Sequence, residues 1–498
     1  MNRRTFLKSM GSATALAFGG LAGLHRLAAA GRRQPNIIVI LSDDLGYGDI
    51  QGFGVEKSPF QTPNLTRMAA EGAKLTEFYV PTPYCAPSRA TLLTGRYPFH
   101  TGMVFNPAPD SGINEIGLPD DEVTLAEALK PAGYASLCIG KWHLGHLPQY
   151  LPRRQGFDEY FGILYSNDMF PVQLVENETV VEYPVVQATL TKRYTERAVD
   201  FIDRNYRHNT PFFLYLAHAM PHKPLAASED FYTPDTPDDL YADVIRELDW
   251  SVGQVLDKVR NLGIDDNTIV LFLSDNGPWY GGSTGGLRGM KARNWEGGLR
   301  VPFIAWWPGT IPAGVVNRHP AGSIDIFPTL LNQAGVDLPD AHPIDGKNLW
   351  PQLMSADAPG PHEALFSMHD VRLMTVLSGK WKLHIRSPGP IPDRGPDWVD
   401  PRRPDGVHIL APYEQARPTE YPGVMGGDGP RDMMLFNIEK DPAEQHDVSD
   451  QYPAVAQRLE DYYNRMMETL PTFQRPKRDF QGLRRIKGGD LKYGRVGE

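Results

Sequence analysis

Four stretches of the chain are apolar without interruption and then end in polar residues. They read NIIVILSDD (36–44), YASLCIGKWH (134–143), PFFLYLAHAMPH (211–222) and TIVLFLSDNG (268–277). Apolar runs that lack the alternation of a half-exposed strand are typical of parallel strands buried on both faces. Helices must then cover the sheet, and one is predicted between Tyr241 and Val259, where apolar residues recur at helical spacing.

The polar ends of these strands are expected to meet at one edge of the sheet. In an open parallel sheet, ligands bind beyond the carboxyl ends of the strands. Two of the strands end in residues with oxygen ligands: Asp43, Asp44, Asp275 and Asn276. Such ligands select Ca²⁺, or Mg²⁺ as the alternative, over zinc, and a bound cation would relieve the repulsion between the carboxylates. The sequence therefore predicts a metal site at this edge.

The C-terminal part of the chain has a different pattern. Two strands joined at Ser378–Lys380 are predicted from VRLMTVLSGKWKLHI (371–385), and a further strand and turn from LFNIEKDPAE (435–444). An amphipathic helix is predicted from PAVAQRLEDYYNRMMETL (453–470). The fold class is thus α/β, with a large mostly parallel sheet covered by helices on both faces and a smaller C-terminal antiparallel sheet and helix. We expect a catalytic domain over residues 31–360 and an α+β subdomain over 361–498.

Between these C-terminal strands lies a long segment, 386–432, that is dense in proline and glycine. Loops of this length are often functional, so we expect it to form a rim over the site. The segment YSNDMF (165–170), with Asn167 and Asp168, is expected to form a second wall.

Residues 1–30 have the three parts of an export signal. Arg3, Arg4 and Lys8 precede the apolar run SATALAFGGLAGL, and Ala28–Ala30 form a cleavage site. The paired arginines indicate a twin-arginine signal peptide, so we expect the twin-arginine export machinery as a partner and a periplasmic or extracellular location. No apolar run reaches the roughly 20 residues that a transmembrane helix needs.

The acidic charge balance restricts the partners. The chain has a formal net charge of −10, and removal of residues 1–30 takes away Arg3, Arg4, Lys8 and Arg26 but no acid. Nucleic acid is therefore not expected as a partner, and an anionic substrate would need a local cluster of basic residues.

Cys85 and Cys138 are the two cysteines of the chain. Cys138 lies in an apolar run and is expected to be buried and unpaired. Cys85 opens the stretch CAPSRATLLTG, a predicted helix entered through Pro87 and closed by Gly95. A helix N-terminus favours an anion, but a structural cysteine and an activated thiolate are also consistent with this position.

The residues around Cys85 belong to a wider set of motifs. The set comprises CAPSRATLLTGR, DDLGYGD, GKWHLG, MPHKP, SDNG, MKARNWEGGLRVPF and LFNIEKDPAE. These stretches resemble segments of the formylglycine-dependent (type I) sulfatases of the alkaline phosphatase-like superfamily, in the order of that family. The resemblance extends from about Asn36 to about Asp447. It implies that a formylglycine-generating enzyme oxidises Cys85 to formylglycine during maturation.

The resemblance also implies a role for each predicted site residue. It places the cation on Asp43, Asp44, Asp275 and Asn276, beside the modified Cys85. It assigns the remaining roles as follows: Arg89 and Lys141 support the formylglycine, His143 acts on its hydrate, and His222 and Lys291 face the sulfate and the leaving group. One hydroxyl of the hydrate would attack sulfur, and the other would lose its proton to His143, which expels sulfate and restores the aldehyde.

The leading hypothesis is hydrolysis of a sulfate monoester, on a sulfated carbohydrate because the export signal suggests scavenging outside the cytoplasm, or on another sulfate ester. Arg89, Lys141 and Lys291 would then supply the basic cluster that an anionic substrate needs. A phosphatase or phosphonate ester hydrolase of the same superfamily is the second interpretation. The third is a catalytically silent protein that binds sulfated glycans and keeps the thiol of Cys85.

Overall fold

The computed structural model describes residues 33–54, 57–233, 240–391, 394–395, 398, 400 and 424–472. The predicted signal peptide lies outside the described residues, as do residues 401–423 of the predicted rim segment. Within the described residues, no helix has the length and apolar character needed to span a bilayer.

The described residues form sixteen strands and ten α-helices. The strands are β1 (Asn36–Ser42), β2 (Ala73–Leu75), β3 (Phe78–Tyr79), β4 (Ala135–Lys141), β5 (Glu159–Ile163), β6 (Leu174–Glu176), β7 (Thr179–Glu182), β8 (Phe212–Ala217), β9 (Thr268–Ser274), β10 (Phe303–Trp306), β11 (Val315–Asn317), β12 (Ala321–Gly322), β13 (Leu365–His369), β14 (Arg372–Ser378), β15 (Trp381–His384) and β16 (Met434–Asn437). The helices are α1 (Pro63–Glu71), α2 (Cys85–Thr94), α3 (Pro98–Thr101), α4 (Leu125–Leu129), α5 (Leu190–His208), α6 (Leu240–Asn261), α7 (Glu296–Leu299), α8 (Ile326–Ala334), α9 (Trp350–Met354) and α10 (Pro453–Met467).

Ten strands form one large sheet in the order β11-β2-β10-β9-β1-β8-β4-β5-β6-β7. The central strands β9, β1, β8, β4 and β5 are parallel, whereas β10 and β6 continue the sheet in antiparallel pairing. The four strands predicted from the sequence are therefore all present and parallel. Each is shorter than its apolar run, because the polar residues at the end of the run leave the sheet.

Both faces of the large sheet are covered. In β1, Ile37, Val39 and Leu41 contribute to one apolar core, and Ile38 and Ile40 contribute to the other. Helices α5 and α6 pack on the second core, and α2 and α8 pack on the first. A strand buried on both faces needs apolar residues at every position, which explains the unbroken runs in the sequence.

The C-terminal sheet is antiparallel and has the order β13-β14-β15-β16. Helix α10 packs on one face through Leu459, which shares a small core with Val376, Leu383 and Leu435. The other face joins the core of the large sheet through residues such as Phe436. The predicted fold class is thus confirmed. The domain boundary near residue 360 stays a prediction, since the two sheets share a core.

Candidate active site

The register of the central strands brings the predicted oxygen ligands together. Strands β1 and β9 are paired from Asn36 and Thr268 to Ser42 and Ser274. The next residues of both strands therefore leave the sheet side by side, and the Asp44 amide donates to Asp275 Oδ1 at 3.1 Å. Asp44 has a φ of 61°, a left-handed conformation that is uncommon for a residue with a side chain and clusters at functional sites.

Cys85 is the first residue of α2 and is almost completely buried, with 1% exposure. Gly95 ends the helix with a φ of 70°, and the Asn106 side chain accepts a hydrogen bond from the amide of Ala86 in the first turn. Cys85 Sγ lies 3.5 Å from Asp43 Oδ1, 3.9 Å from Asp44 Oδ1 and 3.3 Å from Lys291 Nζ. The thiol thus faces the carboxylates at the strand ends, whereas Cys138 is buried in β4. Both cysteines are free thiols, as predicted.

Three acidic and three basic side chains surround Cys85, and we call them the edge cluster: Asp43, Asp44, Asp275, Arg89, Lys141 and Lys291. Lys141 Nζ donates to Asp43 Oδ2 at 2.6 Å, and Lys291 Nζ donates to Asp44 Oδ2 at 2.8 Å. Arg89 Nε donates to Asp275 Oδ2 at 2.9 Å. With the three acids ionised, the edge cluster has no net charge. Repulsion between the carboxylates is therefore already offset by basic side chains of the protein itself.

The edge cluster and Asn276 fit a hard divalent cation. Asn276 Nδ2 donates to Asp44 Oδ1 at 2.7 Å, but Asn276 Oδ1 is buried and has no hydrogen-bond partner among the described residues. Ligand atoms of Asp43, Asp44, Asp275 and Cys85 all lie within 4.8 Å of one another. Carboxylate and amide oxygens are the donors that Ca²⁺ and Mg²⁺ prefer. A divalent cation would also make this neutral group of side chains positive, which suits an anionic substrate.

Burial and charge shift the pKa values of the edge cluster in different directions. Burial raises the pKa of Asp43 to about 7, although Lys141 opposes the shift. Burial also acts on Asp275, but Arg89 and Lys141 outweigh it and hold the pKa of Asp275 below its usual value. The pKa of the Cys85 thiol is raised, mainly by burial. Burial thus disfavours the thiolate form of an unmodified Cys85.

His143 follows β4 and has one partnered and one unpartnered ring nitrogen. Its Nε2 lies 3.1 Å from the carbonyl oxygen of Pro107, whereas its Nδ1 is buried without a partner. Since a carbonyl oxygen only accepts, Nε2 carries the proton and Nδ1 has an open lone pair. Burial, with Lys141 and Arg89, lowers the pKa of His143 and favours the neutral ring. The arrangement is suited to a proton acceptor.

His222 also lies at the edge cluster, where its ligand atom and those of Asp44 and Cys85 are within 4.8 Å of one another. Its Nε2 lies 3.6 Å from Asp44 Oδ2 and 3.3 Å from Ser166 Oγ, and Ser166 Oγ also accepts from Lys141 Nζ at 3.2 Å. The other ring nitrogen, Nδ1, is 2.9 Å from Asn167 Oδ1. Ser166 and Asn167 follow β5, which the sequence did not indicate as a strand of the site. An apolar run that ends in Ser-Asn, FGILYSN, was the available signal.

All ten predicted site residues lie at this edge of the sheet. Nine of them have the contacts described above with the thiol, the carboxylates or Ser166, and His143 follows Lys141 by two residues. Asn167 was expected in a wall but is instead completely buried and contacts His222. The catalytic and metal-binding roles of the ten residues stay predictions.

Three features together define a hydrolase-type site for an anionic ester. They are the parallel sheet, the oxygen ligands at its carboxyl edge and the basic residues around a buried cysteine. A model of the family "Sulfatase" matches residues 35–336 of the chain. The chain is 37% identical over 464 residues to N-acetylgalactosamine-6-sulfatase of Mus musculus, covering 86% of this chain and 85% of that protein. It is 41% identical over 390 residues to N-acetylgalactosamine-6-sulfatase of Homo sapiens, covering 72% and 73%.

A solved structure gives the same result. The fold is similar to the crystal structure of Ps i-CgsB in complex with k-i-k-neocarrahexaose, with a TM-score of 0.69, 27% sequence identity and coverage of 87% of this chain and 93% of that chain. The chain therefore belongs to the sulfatase family, and it is a sulfuric ester hydrolase.

Proposed function

We propose that this enzyme hydrolyses a sulfate monoester of a carbohydrate, with a formylglycine formed from Cys85 as the nucleophile and with Ca²⁺, or alternatively Mg²⁺, at the edge cluster. The observation that carries the proposal is the position of Cys85 Sγ, 3.5 Å from Asp43 Oδ1 and 3.3 Å from Lys291 Nζ. The similar proteins support a carbohydrate substrate, since they include N-acetylgalactosamine-6-sulfatase and a protein solved in complex with k-i-k-neocarrahexaose.

The state of the thiol favours oxidation of Cys85. A sulfur atom whose pKa is raised by burial is a poor nucleophile, yet the basic groups around it are arranged as if to hold an anion. A hydrated aldehyde at this position supplies an oxygen nucleophile that needs no thiolate. Helix α2 and Arg89, which donates through Nη1 to the carbonyl oxygen of Lys141 at 2.7 Å, hold residue 85 at the end of the central strands.

The side chains of the protein would bind the sulfate and transfer the protons. Lys141, which is paired with Asp43, and Lys291, which is paired with Asp44, would contact the sulfate oxygens, where preorganised charge stabilises the transition state. Nδ1 of His143 would accept a proton from the hydrate. Nε2 of His222 would donate a proton to the departing sugar oxygen.

The cation would be held by Asp43, Asp44, Asp275 and Asn276. When bound, it supplies Lewis-acid polarisation of the reacting oxygens. The unpartnered Asn276 Oδ1 and the convergence of the carboxylate oxygens support this assignment.

Export and maturation complete the proposal. Residues 1–30 would direct the folded enzyme through the twin-arginine export machinery to the periplasm or beyond. Modification of Cys85 by a formylglycine-generating enzyme would then precede export, because folding buries Cys85 to 1% exposure.

Mass spectrometry of a tryptic digest tests the modification. The peptide Leu75–Arg89 contains Cys85, and in active enzyme we expect it to be lighter than the unmodified peptide, because an aldehyde oxygen replaces the thiol. The peptide that contains Cys138 is the internal control and should keep a thiol. An intact thiol at residue 85 in fully active enzyme would overturn the proposal.

Paired assays test the class of ester. We expect faster hydrolysis of 4-nitrophenyl sulfate than of 4-nitrophenyl phosphate or a phenylphosphonate ester at equal concentration. The reverse preference would favour a phosphatase or phosphonate ester hydrolase, and no turnover of any ester with tight glycan binding would favour a silent binding protein.

A further inference from the structure

The side chain of Asn167 forms the closest side-chain contact of His222. Asn167 follows β5 and is completely buried. Its Oδ1 lies 2.9 Å from His222 Nδ1. The backbone of the same segment also supports the second histidine, since the amide of His143 donates to the carbonyl oxygen of Leu164 at 3.0 Å. The chain that follows β5 thus contacts both histidines of the site.

The orientation of the Asn167 amide follows from its neighbours. Asn167 Nδ2 faces three acceptors: Gln187 Oε1 at 3.2 Å, the carbonyl oxygen of His222 at 3.3 Å and that of Pro224 at 3.1 Å. The NH₂ group has two N–H donors to share among these acceptors, whereas an amide oxygen in the same position could bond to none of them, so the oxygen of the amide must point to His222. Gln187 Nε2 donates in return to the backbone oxygen of Asn167 at 2.8 Å. Gln187 is itself buried, at 1% exposure, and holds Asn167 from both ends.

The tautomer of His222 is fixed by the same contacts. Nδ1 faces two oxygen acceptors, Asn167 Oδ1 at 2.9 Å and the carbonyl oxygen of Lys223 at 2.6 Å. Nδ1 must therefore carry a proton in every charge state of the ring. Nε2 is the nitrogen that remains for the reaction, and it is directed to the edge cluster, 3.6 Å from Asp44 Oδ2.

We propose that Asn167, oriented by Gln187, is a positioning residue that directs His222 Nε2 at the leaving oxygen of the sulfate ester. The proposal rests on the proposed function, since it deepens the role of His222 given there. Asn167 itself does not contact the substrate. Without Asn167 Oδ1, Nδ1 can still donate to the carbonyl oxygen of Lys223, at 2.6 Å, but a single acceptor restrains the ring less, so the alignment of Nε2 with the bond that breaks is weakened.

The proposal predicts a dependence on the leaving group. A nitrophenolate leaves without a proton, whereas a less acidic phenol or a sugar alcohol needs one in the transition state, where general acid catalysis contributes about 10²-fold to 10⁴-fold. Loss of alignment should therefore slow only the substrates with poor leaving groups.

The test compares kcat/KM of the metal-loaded parent enzyme and of Asn167→Ala on 4-nitrophenyl sulfate, phenyl sulfate, 4-methoxyphenyl sulfate and N-acetylgalactosamine 6-sulfate. We expect a loss of less than about 5-fold on the nitrophenyl ester and of about 10²-fold on the esters with the poorest leaving groups. Because each ratio is taken within one preparation, the fraction of folded enzyme cancels. Gln187→Ala should show the same trend with a smaller loss, which keeps the test valid if Asn167→Ala folds poorly.

Two further variants separate positioning from a structural role. His222→Ala should show the same selectivity, and Asn167→Ala in the His222→Ala background should cost nothing more, because Asn167 acts through His222. Asn205→Ala is the matched control: Asn205 is also buried and donates to the carbonyl oxygen of Phe201 at 2.9 Å, so its loss should affect all esters equally. An equal loss on all esters for Asn167→Ala would overturn the inference, whereas a parent that cleaves none of them would overturn the proposed function.

Discussion

The protein contains two buried clusters of charged side chains, and they differ in what they leave unsatisfied. The first is the edge cluster around Cys85. The second, which we call the joint cluster, lies between α7 and the C-terminal sheet and consists of Tyr79, Glu296, Arg300, Lys382, His384 and Glu444. In the joint cluster, Lys382 Nζ lies 2.9 Å from Glu296 Oε1 and 3.1 Å from Glu444 Oε1. His384 Nε2 lies 2.5 Å from Glu444 Oε1.

The ammonium group of Lys382 occupies the position between two carboxylates that a cation would otherwise take. The remaining oxygens of the joint cluster are used as well: Glu444 Oε2 accepts from the Glu296 amide at 2.5 Å, and Glu296 Oε2 accepts from Tyr79 at 2.9 Å. His384 Nδ1 has no partner, but its ring packs on Trp295 and Phe436. The joint cluster therefore fastens α7 to the C-terminal sheet.

The edge cluster has the same balance of charge but leaves reactive atoms open. Among the described residues, Asn276 Oδ1 and His143 Nδ1 are buried without hydrogen-bond partners, and the thiol of Cys85 lies 3.5 Å from Asp43 Oδ1. The comparison shows that burial of charge alone does not distinguish a site from a structural contact. An open acceptor beside a reactive atom does, because an unsatisfied buried polar group costs about 1–3 kcal/mol that a ligand can recover.

The largest expected effect separates the two cysteines. Cys85→Ala should lower kcat by at least about 10³-fold, because it removes the atom from which the nucleophile is made. Cys138→Ala is the matched control, since Cys138 is equally buried but lies within β4. It should keep full turnover. Thermal melting of both variants checks that they fold, and comparable activity of Cys85→Ala and the parent would remove Cys85 from the mechanism.

Removal of the cation should have the second largest effect on kcat, and it should act through the edge cluster and not through the joint cluster. Exhaustive chelation should lower kcat by about 10²-fold or more, since a catalytic metal contributes several kcal/mol to the transition state. Added Ca²⁺ should restore turnover and raise the melting temperature, because a ligand that binds only the folded state stabilises it.

Asp275→Asn is the variant that links the metal to the edge cluster. It should lose the increase in melting temperature with Ca²⁺, whereas Cys85→Ala should keep most of it. Turnover that is unchanged after metal removal would contradict the assignment of the site.

Lys291 and Lys382 provide a third comparison, with opposite outcomes. Lys291→Met should lower kcat/KM for sulfate esters by about 10²-fold to 10³-fold and change stability little, because Lys291 is partly open to the site and serves the substrate. Lys382→Met should instead lower the free energy of unfolding and change kcat/KM little. It leaves two glutamates without their cation, which costs about 3–5 kcal/mol in a buried pair.

Kinetics and urea unfolding of both variants measure the two effects. Loss of activity without loss of stability for Lys382→Met would mean that the joint cluster belongs to the site.

The sequence was sufficient to predict the strands that carry this site and the polar residues at their ends. The unbroken apolar runs predicted β1, β4, β8 and β9, and the polar residues at their ends predicted which side chains meet, because parallel strands end at the same edge. The motifs around Cys85 added Arg89 and Lys291, which no periodicity could place.

Other parts of the site depend on three-dimensional contacts that the sequence does not encode locally. Ser166 and Asn167 join the site only because β5 pairs in parallel with β4. The sequence also did not predict that each carboxylate of the edge cluster is paired with a basic side chain. These basic partners come from α2, from the end of β4 and from the segment before α7, which are far apart in the chain. The joint cluster was not predicted at all, because nothing in the sequence near Glu296 or Glu444 shows that α7 packs against the C-terminal sheet.

The smallest expected effect concerns the pH dependence of the joint cluster. Burial opposes ionisation of Glu444, but Lys382 and His384 outweigh it and lower the pKa of Glu444 to about 2. A carboxyl group with a lower pKa in the folded state stabilises the fold above its unfolded pKa, near 4.5, and this contribution is lost as the pH falls toward 2. We expect the difference in unfolding free energy between the parent and Glu444→Gln to shrink by about 1–3 kcal/mol over this range. The measurement is urea unfolding of both proteins at several pH values between 6 and 2.5. A difference that stays constant with pH would mean that Glu444 is not held ionised, and the joint cluster would then not be a contact whose carboxylates are both paired with basic groups.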